Sequence, residues 1–130
     1  MGLDLTIRHQ DNFKTDEKGR TTFTVTVLGN LRNCYEVLEK FSNRLESGFP
    51  NCATYSFHEG TFHAILKELK EELLDYEEGE FGRETLEYEI KQLEDFIKEN
   101  NFVEQEPSEE EKAYGITEHY GDTYEVHAWW

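Results

Sequence analysis

Residues 21–28 constrain the fold more tightly than any other stretch, because Phe23, Val25 and Val27 alternate strictly with Thr22, Thr24 and Thr26. A period of two sends successive side chains to opposite faces of a strand, and β-branched and aromatic residues suit a pleated surface. Residues 3–9 repeat the pattern, with Leu3, Leu5 and Ile7 on one face. A polar loop over residues 10–20, closed by Gly19, joins the two runs into an antiparallel hairpin.

Beyond residue 28 the period changes. Gly29-Asn30 is expected to end the second strand, and Asn30 suits a helix N-cap. Cys34, Leu38, Phe41 and Leu45 then recur at helical spacing, predicting a helix to about residue 47 that Gly48 and Pro50 stop. Residues 52–58 read as a third strand, with Ala53, Tyr55 and Phe57 facing one way. Thr61 is expected to cap a second helix with Phe62, Ile65 or Leu66, Leu69, Leu73 and Tyr76 inward, broken by Gly79 and Gly82. A third helix carries Leu86, Ile90, Leu93 and Ile97 and stops at Asn100-Asn101. Residues 104–112 form an acidic, proline-containing connector. Residues 114–120 and 123–130 read as a tail hairpin about a Gly121-Asp122 turn. The order β-β-α-β-α-α-β-β predicts one α+β domain over residues 1–130, an antiparallel or mixed sheet with helices packed on one face.

The net charge of −16 is unevenly placed. Residues 68–111 hold 18 acids and four bases (Lys70, Arg83, Lys91, Lys98), a net of −14, which leaves −2 for the rest. The densest part is Glu71, Glu72, Asp75, Glu77, Glu78, Glu80, Glu84 and Glu87. A charge run is commonly a solvated face that keeps a protein in solution. Charge concentrated this way also makes an electrostatic landing surface for a basic partner, and it repels nucleic acid. Glu118 and Glu125 are expected to lie opposite each other in the tail hairpin, a like-charge pair that a basic group from a partner would relieve. Trp130 is in phase with Tyr124, Val126 and Ala128 and is expected on the core. Trp129 shares the other face with Glu125 and His127 and joins the candidate partner-binding residues.

Catalytic and cofactor patterns do not emerge. There is no nucleophile elbow, no phosphate-cradling glycine loop and no cysteine–histidine motif, so the chain reads as a binding protein without cofactor or metal. His58 and His63 lie five apart, which does not align two ligands on one helix face. His119 and His127 are not opposite one another in the expected hairpin. Nothing at the N-terminus reads as a targeting signal and no run of about 18 apolar residues exists, so the expected location is the cytoplasm, with Cys34 and Cys52 as reduced thiols.

The start Met1-Gly2-Leu3, the alternating strand and helix that follow, Gly48-Phe49-Pro50, a strand ending near His58, and a helix with Lys67-Glu68-Leu69 and Glu72-Leu73 together resemble an immunity-protein family of bacterial polymorphic toxin systems, contact-dependent growth inhibition among them. The resemblance spans about residues 1–78. It implies a cytosolic antidote that binds and blocks a cognate toxin domain, often a basic nuclease. It carries over no functional residue, because such interfaces differ from pair to pair. Two other classes stay open: a phage-type inhibitor that mimics DNA, such as an anti-CRISPR or anti-restriction protein, and a small enzyme.

Overall fold

The computed structural model describes residues 2–102, 108–115 and 122–130. In chain order the elements are β1 (Asp4–Thr15), β2 (Thr21–Arg32), α1 (Tyr35–Ser42), β3 (Ala53–His58), α2 (Glu59–Leu73), α3 (Arg83–Glu99), α4 (Glu109–Ala113) and β4 (Thr123–Trp129). The four strands form one sheet in the order β2-β1-β4-β3, with every neighbouring pair antiparallel. This is an α+β fold with helices packed on the sheet, as the order of periodicities requires.

The core lies between the helices and one sheet face. Leu5, Ile7, Val126 and Ala128 are fully buried and meet Val37, Phe41, Phe62, Ile65, Leu69 and Leu93, also fully buried. Aromatic rings knit the layers: Phe41 lies 4.6 Å from Phe57 and 5.3 Å from Phe62, and Phe102 lies 4.6 Å from Tyr124. β4, the last of the described strands in sequence, sits centrally between β1 and β3.

The hairpin is longer than its sequence suggests. β1 and β2 stay paired out to Thr15↔Thr21, beyond a bulge at Asn12 (φ 54°). Gln10, Asp11, Asn12 and Lys14 hide the strand because they are polar on both faces. What remains of the expected loop is a tight turn in which Asp16 accepts from the backbone N–H groups of Lys18 and Arg20, both at 2.9 Å. Those bonds hold the Asp16 carboxyl below the usual carboxylate range, first through Arg20.

Gly29-Asn30 does not end β2. Ile7 pairs with Gly29 and Arg8 with Val27, so Leu28 is an extra residue that shifts the register. Gly29 faces the core, where a Cβ would lie 3.2 Å from the Phe96 ring, and the Asn30 side chain accepts from the Thr6 hydroxyl at 2.7 Å. The strand runs on to Arg32, and the N-cap position of α1 is Cys34, which makes no side-chain cap. Glu89 of α3 caps α1 instead. One carboxylate oxygen accepts from the N–H groups of Glu36 (2.8 Å) and Val37 (3.1 Å).

Other boundaries also move. α1 stops at Ser42, whose hydroxyl accepts from the Phe49 N–H at 3.0 Å and folds the following turn back onto the helix. α2 begins at Glu59, two residues before the expected Thr61 cap, and Thr61 is buried. Of the expected connector 104–112, residues 104–107 lie outside the described set. Ser108 caps α4 with a reciprocal Ser108–Glu111 capping box. The expected strand 114–120 begins with the turn that ends α4, and residues 116–121 lie outside the described set. Glu125 has Arg8 on one side and Ser56 on the other. Both cysteines are free thiols, and no helix is long and apolar enough to cross a membrane among the described residues.

Candidate binding surface

The acidic residues picked from the sequence fall into two groups on different parts of the molecule. Glu71, Glu72, Asp75, Glu77, Glu78, Glu80, Glu84 and Glu87 gather at one end of the helical layer, along the last turn of α2, the turn into α3 and the first turns of α3. Glu125 and Trp129 lie on β4, on the sheet face away from the helices. Glu118 lies outside the described residues.

The first group is exposed and only partly neutralised. Glu72 pairs with Lys40 of α1 and Glu87 with Arg83 at 2.9 Å. No ion pair engages Glu71, Asp75, Glu77, Glu78, Glu80 or Glu84 among the described residues. The pairing also lifts the Lys40 ammonium above its ordinary range, first through its hydrogen bond to Glu72. Glu72 is thus a strut between α1 and α2 and not a free contact. Two further pairs brace the layer: Arg44 grips Glu68 at 3.0 and 3.3 Å, and Lys70 meets Glu94 across the α2–α3 seam at 2.7 Å.

Arg83 organises the turn that carries these acids. Its guanidinium donates to the carbonyls of Tyr76 (2.6 Å) and Leu73 (3.4 Å) at the end of α2, the Leu73 carbonyl also accepting from the Tyr76 N–H at 3.1 Å. A cation there suits the negative end of the helix dipole. Gly79 (φ 82°) and Gly82 (φ 91°) take left-handed conformations, and the Glu77 N–H donates to the Glu80 carboxylate at 2.8 Å. The result is a fixed loop. It presents Phe81 at 99% exposure, and Leu74, the C-cap of α2 just before it, is 83% exposed. A shallow recess of about 740 Å³ lies beside Phe81, lined by Glu78, Glu80, Phe81, Arg83, Glu84 and Glu87, while Leu74 lines a second recess with Leu66, Lys67, Lys70 and Glu71.

Phe81 and Leu74 were missed by sequence reasoning. Their signal is context: an aromatic and an aliphatic residue off the inward stripe, each flanked by acids. Gly79 and Gly82 around Phe81 mark the turn, but only the structure shows that it points the ring outward.

The second group answers differently from expectation. Glu125 is mostly covered, and Arg8 reaches it at 3.0 Å while the Gln10 amide donates to its other oxygen. Its cross-strand neighbours are an arginine and a serine, so it is satisfied within the fold. Trp129 is about half exposed on the open sheet face. Trp130 is also partly exposed and does not pack on the core as its phase suggests. The Asn51 side-chain amide holds it through its backbone, accepting from Trp130 N–H and donating to Trp130 O, both at 2.9 Å.

One buried carboxyl stands apart from the surface acids. Glu89 is 1% exposed, and its second oxygen has no hydrogen-bond partner among the described residues. Burial pushes it up to about 7, against the pull of the two N–H groups it caps. The neighbouring Cys34 thiol is pushed up to about 12 by burial and by Glu89, which leaves it protonated and inert.

Searches against family models, curated proteins and solved structures find no match to this chain.

Proposed function

We propose that this protein is an immunity-type antidote. It binds a basic toxin domain through the acidic end of the α2–α3 hairpin and blocks it without turning over. The observation that supports this most is a run of exposed carboxylates without ion pairs among the described residues (Glu71, Asp75, Glu78, Glu84) on the same segment that exposes Leu74 and Phe81, with Glu78 and Glu84 lining one recess with Phe81. An apolar centre with a charged rim is the usual anatomy of a protein-binding patch. A nuclease must carry positive charge to hold phosphates, and an inhibitor can act by covering that surface. Rim carboxylates then speed encounter, while a few charge-assisted bonds to Arg or Lys slow release.

A DNA mimic, the other reading of the same charge, has acids that stand in for phosphates and no need of a protruding apolar centre. Phe81 and Leu74 favour a partner that buries apolar surface.

The test takes as partner a basic toxin domain, sought first among the genes beside this one. Asp75, Glu78 and Glu84 are changed together to Lys, leaving the Lys40–Glu72 strut intact, and association is followed across a salt series. The expected outcome is slower association with a flatter salt dependence and weaker inhibition of the toxin. Unchanged rate and salt slope would return the acidic end to the status of a solvated face.

A further inference from the structure

The other apolar exposure lies on the hairpin arm. β4 pairs with β1 from Asp4 to Arg8, so among the described residues the β1–β2 ladder extends beyond Arg8 without a third strand. The bulge at Leu28 sets the faces. Arg8, opposite Val27, points away from the helices, and Val25 and Phe23 share that side. Phe13 joins them, its ring 5.4 Å from Phe23. The alternation that marks β2 as a strand therefore puts its apolar side on the open face, where Phe23, Val25, Val27 and Phe13 are all exposed.

β2 is also an edge strand, with no neighbour on its outer side among the described residues. Edge strands usually carry Lys, Pro or an inward charge that prevents pairing with another chain. In a chain that is 32% charged, residues 21–31 hold no charged residue and no proline. The opposite edge, β3, is uncharged too, but it is short and its open-face positions are Thr54, Ser56 and His58, which offer little apolar surface to bury.

We propose that β2 is a self-association edge: two copies pair their β2 strands antiparallel about a twofold at Val25, joining their sheets into one. The argument for a second copy rests on charge and symmetry. A chain of net charge −16 repels itself over most of its surface, and above all at the acidic helical end. The arm is the exception. Residues 10–27 balance Asp11, Asp16 and Glu17 against Lys14, Lys18 and Arg20. An antiparallel pair of identical strands is self-complementary, as a twofold interface requires. With Val25 on the axis, Phe23 faces Val27 of the partner copy and Thr24 faces Thr26. Every open-face residue then meets an open-face residue, and the two apolar stripes merge. Cross-strand aromatic–β-branched pairs of this kind are stabilising.

Sedimentation velocity over a protein concentration series tests this, with two variants. Wild type is expected to shift from monomer to dimer as concentration rises, and more readily in high salt, because salt screens the residual repulsion. Val25→Lys and Val25→Glu each place like charges on the axis and are expected to stay monomeric. An equimolar mixture of the two restores a dimer, because Lys then faces Glu. Hydrogen exchange on wild type gives a second reading that needs no variant: amides of residues 21–31 gain protection with concentration. A wild type that stays monomeric, a V25K variant that still dimerises, or a mixture that does not would each overturn the proposal. So would β2 amides that gain protection only when a different protein is added, which would make this edge a site for a foreign strand.

Discussion

At the helical end, Phe81 and Leu74 stand among carboxylates; on the hairpin arm, Phe13, Phe23, Val25 and Val27 stand among threonines and a balanced set of charges. Both places expose apolar surface, yet the charge around each admits a different visitor. The acidic end repels a second copy and attracts a basic protein. The arm carries no net charge to steer anything, but it offers unpaired backbone groups and a surface that matches itself. The two are also built differently. The helical turn is held by one arginine and two left-handed glycines. The arm is held by its own ladder. Apolar exposure alone therefore does not identify a partner; the field around it does.

The largest expected effect separates the two sites by charge. Changing Asp75, Glu78 and Glu84 to Lys should slow association with a basic partner by roughly 10–100-fold at low salt. Dimerisation through β2 should be unaffected or slightly favoured, since net charge falls. Raising salt should act in opposite directions, weakening partner binding and strengthening self-association, because screening removes attraction in one case and repulsion in the other. Stopped-flow and sedimentation on the same variant read both. If salt moved the two in the same direction, the contrast between the sites would be wrong.

Glu89 sharpens the comparison by separating charge that faces a partner from charge that holds the fold. It lies on α3, the helix that carries the surface acids Glu84 and Glu87, and in a count of carboxylates it looks like them. Its folded value is raised to about 7 from an ordinary 4.5, so the folded state favours its protonated form. The stability this contributes is fully present below about 4.5 and is lost as pH rises through about 7. At roughly 1.4 kcal/mol per pH unit, the difference in unfolding free energy between wild type and Glu89→Gln should fall by about 3 kcal/mol between pH 4.5 and 7.5. Urea denaturation of both proteins at several pH values checks it. A constant difference would mean that the two N–H groups at the start of α1 hold Glu89 ionised throughout.

Phe81→Ala is a smaller change aimed at the acidic end alone. A ring that is 99% exposed contributes little to folding, so thermal stability should not move measurably. If the ring anchors a partner, affinity should fall by about thirtyfold, or about 2 kcal/mol, mostly through faster dissociation. A lower melting temperature would show that the ring packs against the protein itself, and would leave the acids without an apolar centre.

Much of the architecture was legible because periodicity reports local structure. The alternation in residues 21–28 announced β2, and Leu86, Ile90, Leu93 and Ile97 announced α3. Its limits lie where long-range pairing decides. Nothing in Phe23-Thr24-Val25-Thr26-Val27 says which face the helices will cover, because the bulge at Leu28 that sets it lies outside the pattern. Asn30 looked like a cap because Asn is a good one; in the fold it serves a cross-strand bond, and a distant glutamate does the capping. The acidic cluster was legible as composition, but its division into struts such as Glu72 and free groups such as Asp75 depends on where Lys40 lies in space. Glu125 looked available as half of a like-charge pair, and Arg8 from the other end of the chain had already claimed it.

The smallest effect concerns the turn that aims Phe81. Gly82 takes φ 91° at the N-cap of α3, a conformation that disfavours any Cβ. An added methyl would lie 3.5 Å from the Tyr76 ring, an ordinary contact, so the cost is in the backbone and not in crowding. Gly82→Ala should therefore lower stability by about 1 kcal/mol. Gly79→Ala, at φ 82° with open space around it, should cost about the same. The consequence for binding should exceed the consequence for folding. A turn that relaxes to avoid the strain no longer holds Phe81 outward beside Glu78 and Glu84, while the acids themselves remain. Association should stay fast and salt-sensitive, and dissociation should quicken toward that of Phe81→Ala. If instead both glycine variants bind with unaltered dissociation, the ring's aim does not depend on this turn, and the acidic end works by charge alone.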